Sequence, residues 1–308
     1  MGGVIATDDY ELLDEAAGLV ERANRTIVEL SGAEAAEFLQ GQVTNDVEAL
    51  TAGAGCYAAL LDHKGKIRTD LRVLRLAPDR LLVDAEGASR AVLNHVFETY
   101  SLGRQVRHED LSDDHRVLSL IGPAARSLLE PAPGDTEHDH VLTAYGLAVA
   151  TDLGVDLICG ERQAAAARAE LDVREAAEEA AECLRIERGR PRLGFELDGA
   201  IPQEAGLNER AVSFTKGCYV GQETVARLHY KGKPNRHLRG LRLSAPAAHG
   251  DPVMLGERQV GTIGSACVSP IHGPIALALI RREAAPGQEV LVGSGADPAV
   301  VIEPPFVL

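Results

Sequence analysis

At 308 residues, with 45% hydrophobic and 25% charged side chains, the chain has the make-up of a soluble globular protein built from two or three packed units, which excludes a minimal module or a disordered tail. Lys plus Arg number 31 against 46 acids, a formal charge of −15, with no Trp and 4% aromatic residues; such a surface repels phosphate backbones and offers few stacking platforms, so bulk nucleic-acid binding is excluded. The start "MGGVIATDDYELLDEA" lacks a signal's basic and apolar regions, no run approaches the ~20 apolar residues of a membrane span, and the five cysteines (56, 159, 183, 218, 267) include no C-x-x-C, so a cytoplasmic protein with reduced thiols is expected.

In chain order, "TIVEL" reads as a strand ending at Leu30. Ser31 with Glu34 reads as a capping box for a helix whose apolar face is Phe38, Leu39 and Val43. "CYAALLDHKGKIRTDLRVLRL" predicts two strands around the turn "DHKGK"; "RLLVDA" predicts a third, and "ASRAVLNHVFETYSLG" a helix stopped by Gly103. A second pass repeats the style. "HRVLSLIG" predicts a strand, "PAARSLLE" a short helix with Pro123 in its first turn, and "VLTAYGLAVATD" and "VDLICG" strands. "ERQAAAARAEL" and "REAAEEAAECLRIERG" are rich in strong helix formers. "APGDTEHDH", 132–140, is a loop, solvated by composition rather than metal-binding.

The texture changes near Pro234. Short apolar runs punctuated by Gly and Pro then follow with no helical period, the pattern of a small all-β sandwich or barrel. The expected division is therefore an α+β region over 1–234 and a β-domain over 235–308, with antiparallel strands rather than a doubly wound parallel sheet.

Nucleophile-elbow, zincin, Walker A and dinucleotide signatures are absent. Three groups of residues invite chemistry. In "FTKGCYVGQETVARLHYKGKPNR" Cys218 lies near Lys216 and ahead of a helix expected from Gly221; a cation and a helix N-terminus would both stabilise its thiolate, unless it is simply a small buried residue in a turn. From 216 to 242 the chain carries seven Lys or Arg against Glu223, a local reversal of sign that could hold an anion or neutralise acids across a seam. The loop 185–207 holds Glu187, Glu196, Asp198 and Glu204 among arginines; a carboxylate there could accept paired N–H donors of a heterocycle, or merely pair with Arg185, Arg188, Arg190 or Arg192. Asp70 shares a strand face with Arg68 and Arg72, as a structural ion pair or as the wall of a site.

The spelling "KGCYVGQE" resembles the signature of YgfZ-type folate-binding proteins, relatives of the T-protein of glycine cleavage, an aminomethyltransferase. "FLQGQVTNDV", "YAALLDHKGKIRTDLRV" and "RIERGRPRLGFELDGAIPQEAGL" resemble further segments of that family in the same order, and the resemblance runs from about residue 24 onward. It implies an α+β fold around a central hole with a C-terminal β-barrel, tetrahydrofolate or a derivative bound in that hole, and a role in maintaining iron–sulfur enzymes with a link to tRNA modification. By position, Glu196 matches the pterin-recognising carboxylate of T-proteins. Cys218, Lys216, Tyr219, Gln222 and Glu223 match the signature itself, and Arg227 is a charge-based candidate for the folate's carboxylates. T-proteins carry paired aspartates where this chain has Thr69–Asp70, and they generally lack the signature cysteine.

The leading expectation is a folate-binding accessory factor for iron–sulfur proteins, with Cys218, at the rim of the folate pocket, and Asp70 as the chemical residues and no resident metal, since one cysteine cannot hold a cluster alone. The alternative is an aminomethyltransferase using tetrahydrofolate and a lipoylated carrier protein. A third is a scaffold that docks acidic partners on the 216–242 patch.

Overall fold

The computed structural model describes residues 7–306. Helix α1 (Thr7–Glu15) and strand β1 (Gly18–Arg22) lead into β2 (Arg25–Ser31), α2 (Ala35–Gln42), β3 (Gly55–Leu61), β4 (Ile67–Ala77), β5 (Arg80–Glu86), α3 (Arg90–Tyr100) and β6 (Arg107–Asp110). Next come β7 (His115–Ile121), β8 (His140–Thr143), β9 (Gly146–Ala150), β10 (Gly154–Gly160), α4 (Glu161–Glu170), α5 (Glu178–Glu187), α6 (Asn208–Ala211) and α7 (Gln222–Lys231). The last strands are β11 (Arg236–Leu243), β12 (Pro252–Leu255), β13 (Arg258–Ser269), β14 (Gly273–Arg281), β15 (Glu289–Val292) and β16 (Asp297–Ile302).

These strands form two five-stranded sheets, ordered β3-β4-β5-β2-β6 and β1-β7-β10-β9-β8, and a closed barrel, β11-β14-β13-β12-β15-β16. The architecture is α+β with antiparallel sheets and a six-stranded C-terminal barrel, as the sequence pattern implied.

The alternation along β4 explains how the first sheet is placed. Leu71 and Val73 point to one face, where they pack with Phe38 and Leu39 of α2 and Val96 and Phe97 of α3. Burying each such side chain is worth about 1.5–3 kcal/mol. The opposite face carries Asp70, Arg72 and Leu74. Leu74, with Ile27 and Leu82, meets Val117, Val149 and Ile158 of the second sheet. The two sheets thus close over an apolar seam at one end and a charged one at the other.

Helix α5 is the third contact. Its Ala180, Ala181 and Leu184 pack with Tyr10 and Leu13 of α1 and Val20 of β1, and Cys267 of the barrel packs against the same group. The helix ends where Gly189 takes φ +66°, and a Cβ there would lie 2.5 Å from Pro304, so only glycine lets the chain turn beneath the barrel's C-terminal segment.

Several local expectations change. Ser31 does not cap α2: it pairs with Arg80 and Arg107 within the sheet, and Glu34 at the helix start makes no capping bond, its carboxylate accepting the Gln105 N–H instead. "PAARSLLE" supplies a single 3₁₀ turn, Ala125–Leu128, instead of an α-helix. "VLTAYGLAVATD" is two strands, β8 and β9, folded at Gly146 with φ +110°. Residues 174–176 bond to the edge of β1 before α5 begins at Glu178, so that helix is shorter than its composition suggested. Helix α1 and strands β1, β6 and β16 went unread in the sequence.

Candidate functional site

Where the sheets meet at their charged end, they enclose a cavity of about 210 Å³ with α5 and the 190–192 loop as further walls. Seven arginines line it (Arg22, Arg25, Arg72, Arg185, Arg190, Arg192 and Arg210) against five acids, a positive interior inside an acidic chain. The acids fix the arginines in place. Arg72 donates from Nε to Asp84 Oδ2 at 2.7 Å and from Nη1 to Asp156 Oδ2 at 2.6 Å, so it ties the two sheets together. Arg25 takes the other side of Asp84, 3.0 and 2.9 Å, and reaches Glu86 at 2.6 Å. The second Glu86 oxygen accepts from Arg192 at 3.0 Å. Ser119 donates to the free oxygen of Asp156 at 2.5 Å. Asp84 is fully buried, and burial alone would raise its pKa; Arg25 and Arg72 outweigh that and hold it below the usual carboxylate range.

Asp70 is treated differently. Its Oδ2 accepts from the Tyr57 hydroxyl at 2.7 Å, while its Oδ1 is buried without any partner. Burial pushes the carboxyl above its ordinary value, and the same burial with the Asp70 contact keeps the Tyr57 hydroxyl protonated. Arg210 lies over the Tyr57 ring, 5.2 Å from its centroid, and carries an ion pair to Glu137. His138 completes this wall. It is buried with φ 74°, a conformation that non-glycine residues rarely take, and its Nδ1 has no partner. Burial and the arginines, Arg72 first among them, push its pKa down to about 3, so it is a neutral imidazole. An acceptor oxygen and a ring nitrogen, both unsatisfied, beside fixed guanidinium groups are fitted to a ligand bearing N–H donors and negative charge.

Thr69, one residue from Asp70, points to the core instead. Its hydroxyl bonds Ser89 Oγ at 2.5 Å and it is fully buried. The cavity therefore sees Asp70 and not its neighbour, and Arg68 is exposed.

Glu196 is 2% exposed but does not line this cavity. It stands one layer behind the wall: Oε2 accepts the Arg192 backbone N–H at 3.0 Å and lies 3.7 Å from Arg185, while Oε1 is buried without a partner. Oε1 rests on the barrel at Gly264, where a Cβ would approach it to 2.5 Å. Burial raises the Glu196 carboxyl above its ordinary value.

The signature loop lies elsewhere. None of Lys216, Cys218, Tyr219, Gln222, Glu223 and Arg227 lines the cavity. Lys216 is buried, and its ammonium donates to the carbonyls of Gln40, Val43 and Asn45 at 2.6, 2.7 and 2.8 Å, closing the C-terminal end of α2. Burial pushes its pKa down to about 8, opposed by the negative charge of nearby groups, Asp46 first among them. The same ammonium sits over the buried Tyr219 ring, 5.2 Å from the centroid. Gly221, φ +83°, opens α7, and a Cβ there would lie 2.5 Å from the Asp62 carbonyl. The loop is thus clamped on the β3–β4 turn. Cys218 is exposed at its tip, Glu223 and Arg227 are exposed on α7, and Gln222 is half-buried.

The same hairpin that brings Asp70 to the cavity meets the signature loop at its turn, where Gly65 lies against Gly221 and Thr224. Of the seven basic residues of 216–242, Arg236 pairs with Glu204, Arg239 pairs with Glu303 and Lys216 is internal, so three of the seven charges there are structural. The loop 132–140 supplies His138 to the cavity, while the His140 ring nitrogens face the carbonyls of His138 and Arg75, to which a ring N–H donates; no group of three metal-ligating side chains occurs among the described residues. Tyr57, His138, Arg25 and Arg210 escaped the sequence reading because each comes from a separate element.

Two family models match the chain: the GCVT N-terminal domain over residues 4–158 and the glycine cleavage T-protein C-terminal barrel domain over residues 236–307. An aminomethyltransferase of Saccharopolyspora erythraea is 29% identical over 327 residues, covering 97% of this chain and 89% of the relative. The tRNA-modifying protein YgfZ of Colwellia psychrerythraea is also 29% identical, over 255 residues, covering 79% of this chain and 76% of its own length. Among solved structures, the glycine cleavage system aminomethyltransferase T of Bartonella henselae superimposes with a TM-score of 0.87 at 23% identity, covering 97% of this chain and 89% of the other, a likeness of fold. The two names stand at equal identity, so similarity does not rank them. No helix among the described residues is long and apolar enough to cross a membrane.

Proposed function

The chain belongs to the glycine cleavage T-protein family, and from that premise we propose that it binds tetrahydrofolate or a close derivative in the cavity between its two sheets and serves as an accessory factor in iron–sulfur cluster assembly or repair. The observation that carries the folate half is Asp70 in the wall of an arginine-lined cavity, with its Oδ1 buried and unpartnered. A pterin presents adjacent N–H donors to a carboxylate, and a folate's glutamyl carboxylates suit guanidinium groups that are already fixed by neighbours. Asp70 and Tyr57 would hold the ring, and Arg192 and Arg210 the anionic end. The bound cofactor would supply one-carbon chemistry at its ring nitrogens. Glu196 acts here as a positioning residue, holding the Arg192 backbone and Arg185 against the barrel.

The accessory reading rests on Cys218. A thiol held outward on a clamped loop, away from the cavity, suits exchange with a partner protein better than chemistry on a bound folate. Its partners would be iron–sulfur clients or assembly proteins, and the link to tRNA modification follows the YgfZ-named relative. The second reading is an aminomethyltransferase, favoured by one observation: Asp70, the cavity-facing member of the Thr69–Asp70 pair, is present and desolvated. Folate-dependent release of ammonia from an aminomethyl-lipoyl carrier protein would establish it in place of the first.

Titration with tetrahydrofolate tests the site. Asp70→Asn keeps the shape and loses the anionic acceptor, and should weaken binding at least about tenfold, or roughly 1.4 kcal/mol. Equal affinity for both proteins discards the cavity as the folate site.

A further inference from the structure

Two cysteines distant in sequence meet where α5 packs on the barrel. Cys183 Sγ and Cys267 Sγ are 3.2 Å apart, and 84 residues separate them. Cys183 is fully buried and Cys267 is partly exposed on β13. The contact is one of a pair along the same face: Arg185, two residues on, donates to Ser265 Oγ at 2.5 Å. A carboxylate stands behind the buried thiol, with Glu187 Oε1 3.5 Å from Cys183 Sγ and its other oxygen held by the Tyr10 hydroxyl at 2.9 Å.

We propose that Cys183 and Cys267 form a redox modification site, which closes to a disulfide on reaction with a small-molecule disulfide and locks α5 to the barrel. A disulfide needs the sulfurs at about 2.0 Å, so closure asks the two sulfurs to approach by about 1 Å. The partly exposed Cys267 reacts first: its sulfur attacks the small disulfide, forms a mixed disulfide and releases one thiol, which carries off the Cys267 proton. The Cys183 sulfur then attacks the Cys267 sulfur and expels the second thiol. The Cys183 proton passes to the adjacent Glu187 carboxylate and from there to the departing thiolate. Two protein thiols are oxidised and one small disulfide is reduced to two thiols, so atoms and electrons balance. The lock matters because α5 also carries Arg185 and Ala181 into the cavity wall. Oxidation therefore couples the thiol state of the protein to the rigidity of that wall.

The test uses the full chain carrying Cys218→Ala, which removes the exposed thiol, treated with oxidised glutathione. The expected product has lost two hydrogens, retains no glutathione, and yields a peptide joining Cys183 to Cys267. Its melting temperature rises by roughly several degrees and falls back on reduction, because the link closes a long loop in the unfolded chain. Cys267→Ser should abolish both changes. Glutathione retained on Cys267 with Cys183 still free, or both thiols fully alkylated after denaturation, would overturn the proposal; peptide mapping of the Cys218→Ala protein decides this even if the serine variant does not fold.

Discussion

The charged seam between the sheets and the signature loop on the surface are built on opposite plans. In the seam, Arg25, Arg72, Asp84, Asp156 and Glu86 come from β2, β4, β5 and β10, and every one is held by a partner far away in sequence. In the loop, eight consecutive residues do the work, and most of it is local architecture: Lys216 closes α2, Tyr219 lies beneath it, and Gly221 lets α7 start against the hairpin. Cys218 is left facing outward, with Val220 and Glu223 also exposed beside it. A segment that is easy to recognise in a sequence can therefore be mostly scaffold, and a ligand-ready cavity can have no spelling at all.

The contrast is broken most forcefully at Arg72. Arg72→Ala strips Asp84 of one of two guanidinium partners and Asp156 of its link across the sheets, and removing one member of a buried network of this kind costs about 3–5 kcal/mol. Urea unfolding should show the loss at neutral pH. The pH dependence has a definite sign. Asp84 is held below its unfolded value of about 3.9, so its contribution is present above that pH and is lost as the pH falls through the native pKa. The gap between wild type and Arg72→Ala should thus be widest near neutrality and narrow below about pH 4. A gap that is constant with pH would mean that Arg72 contributes packing and not charge.

Lys216 comes next in size. Lys216→Met keeps the stem and removes three charge-assisted bonds, leaving the carbonyls of Gln40, Val43 and Asn45 buried without donors; about 2 kcal/mol should be lost. Hydrogen exchange should locate the damage at the end of α2 and in the 213–221 loop, with the cavity unaffected. Exchange rising equally in β4 and β5 would mean that loop and seam are one cooperative unit, and the contrast between them would fail.

What could be read in the sequence follows the same divide. Strand alternation, turn glycines and helix-forming runs are local, so β3, β4, β5, α3, α4 and the barrel's texture were legible. Asp70 was legible as either an ion-pair member or the wall of a site, and the choice was hidden because its partner Tyr57 lies on the neighbouring strand, diagonally across the ladder and 13 positions away. His138 was hidden in a polar loop, and nothing in "GDTEHDH" announces a backbone with φ 74° or a buried ring. Ser31 misled because a capping box can be spelled by residues that a sheet has already claimed. Glu196 was read as a carboxylate of a Gly/Pro loop and is buried with a free oxygen, and only packing shows that it faces the barrel rather than the cavity.

The smallest effect on stability is expected where the signature is most suggestive. Cys218 makes no contact that the fold depends on, so Cys218→Ala should leave unfolding unchanged within about 0.5 kcal/mol, while it removes the thiol that reacts fastest with a bulky aromatic disulfide reagent. The other cysteines set the scale for that comparison. Burial pushes the Cys56 thiol up to about 12 and the Cys159 thiol up to about 11; Cys159 and Cys183, both buried, should label only on unfolding, and the partly exposed Cys56 slowly because its thiolate is scarce. Cys267, partly exposed, should react at an intermediate rate. If Cys218→Ala instead lowers stability by as much as Lys216→Met, the sulfur is part of the loop's framework. The division between a scaffold and the thiol it presents would then no longer describe this surface.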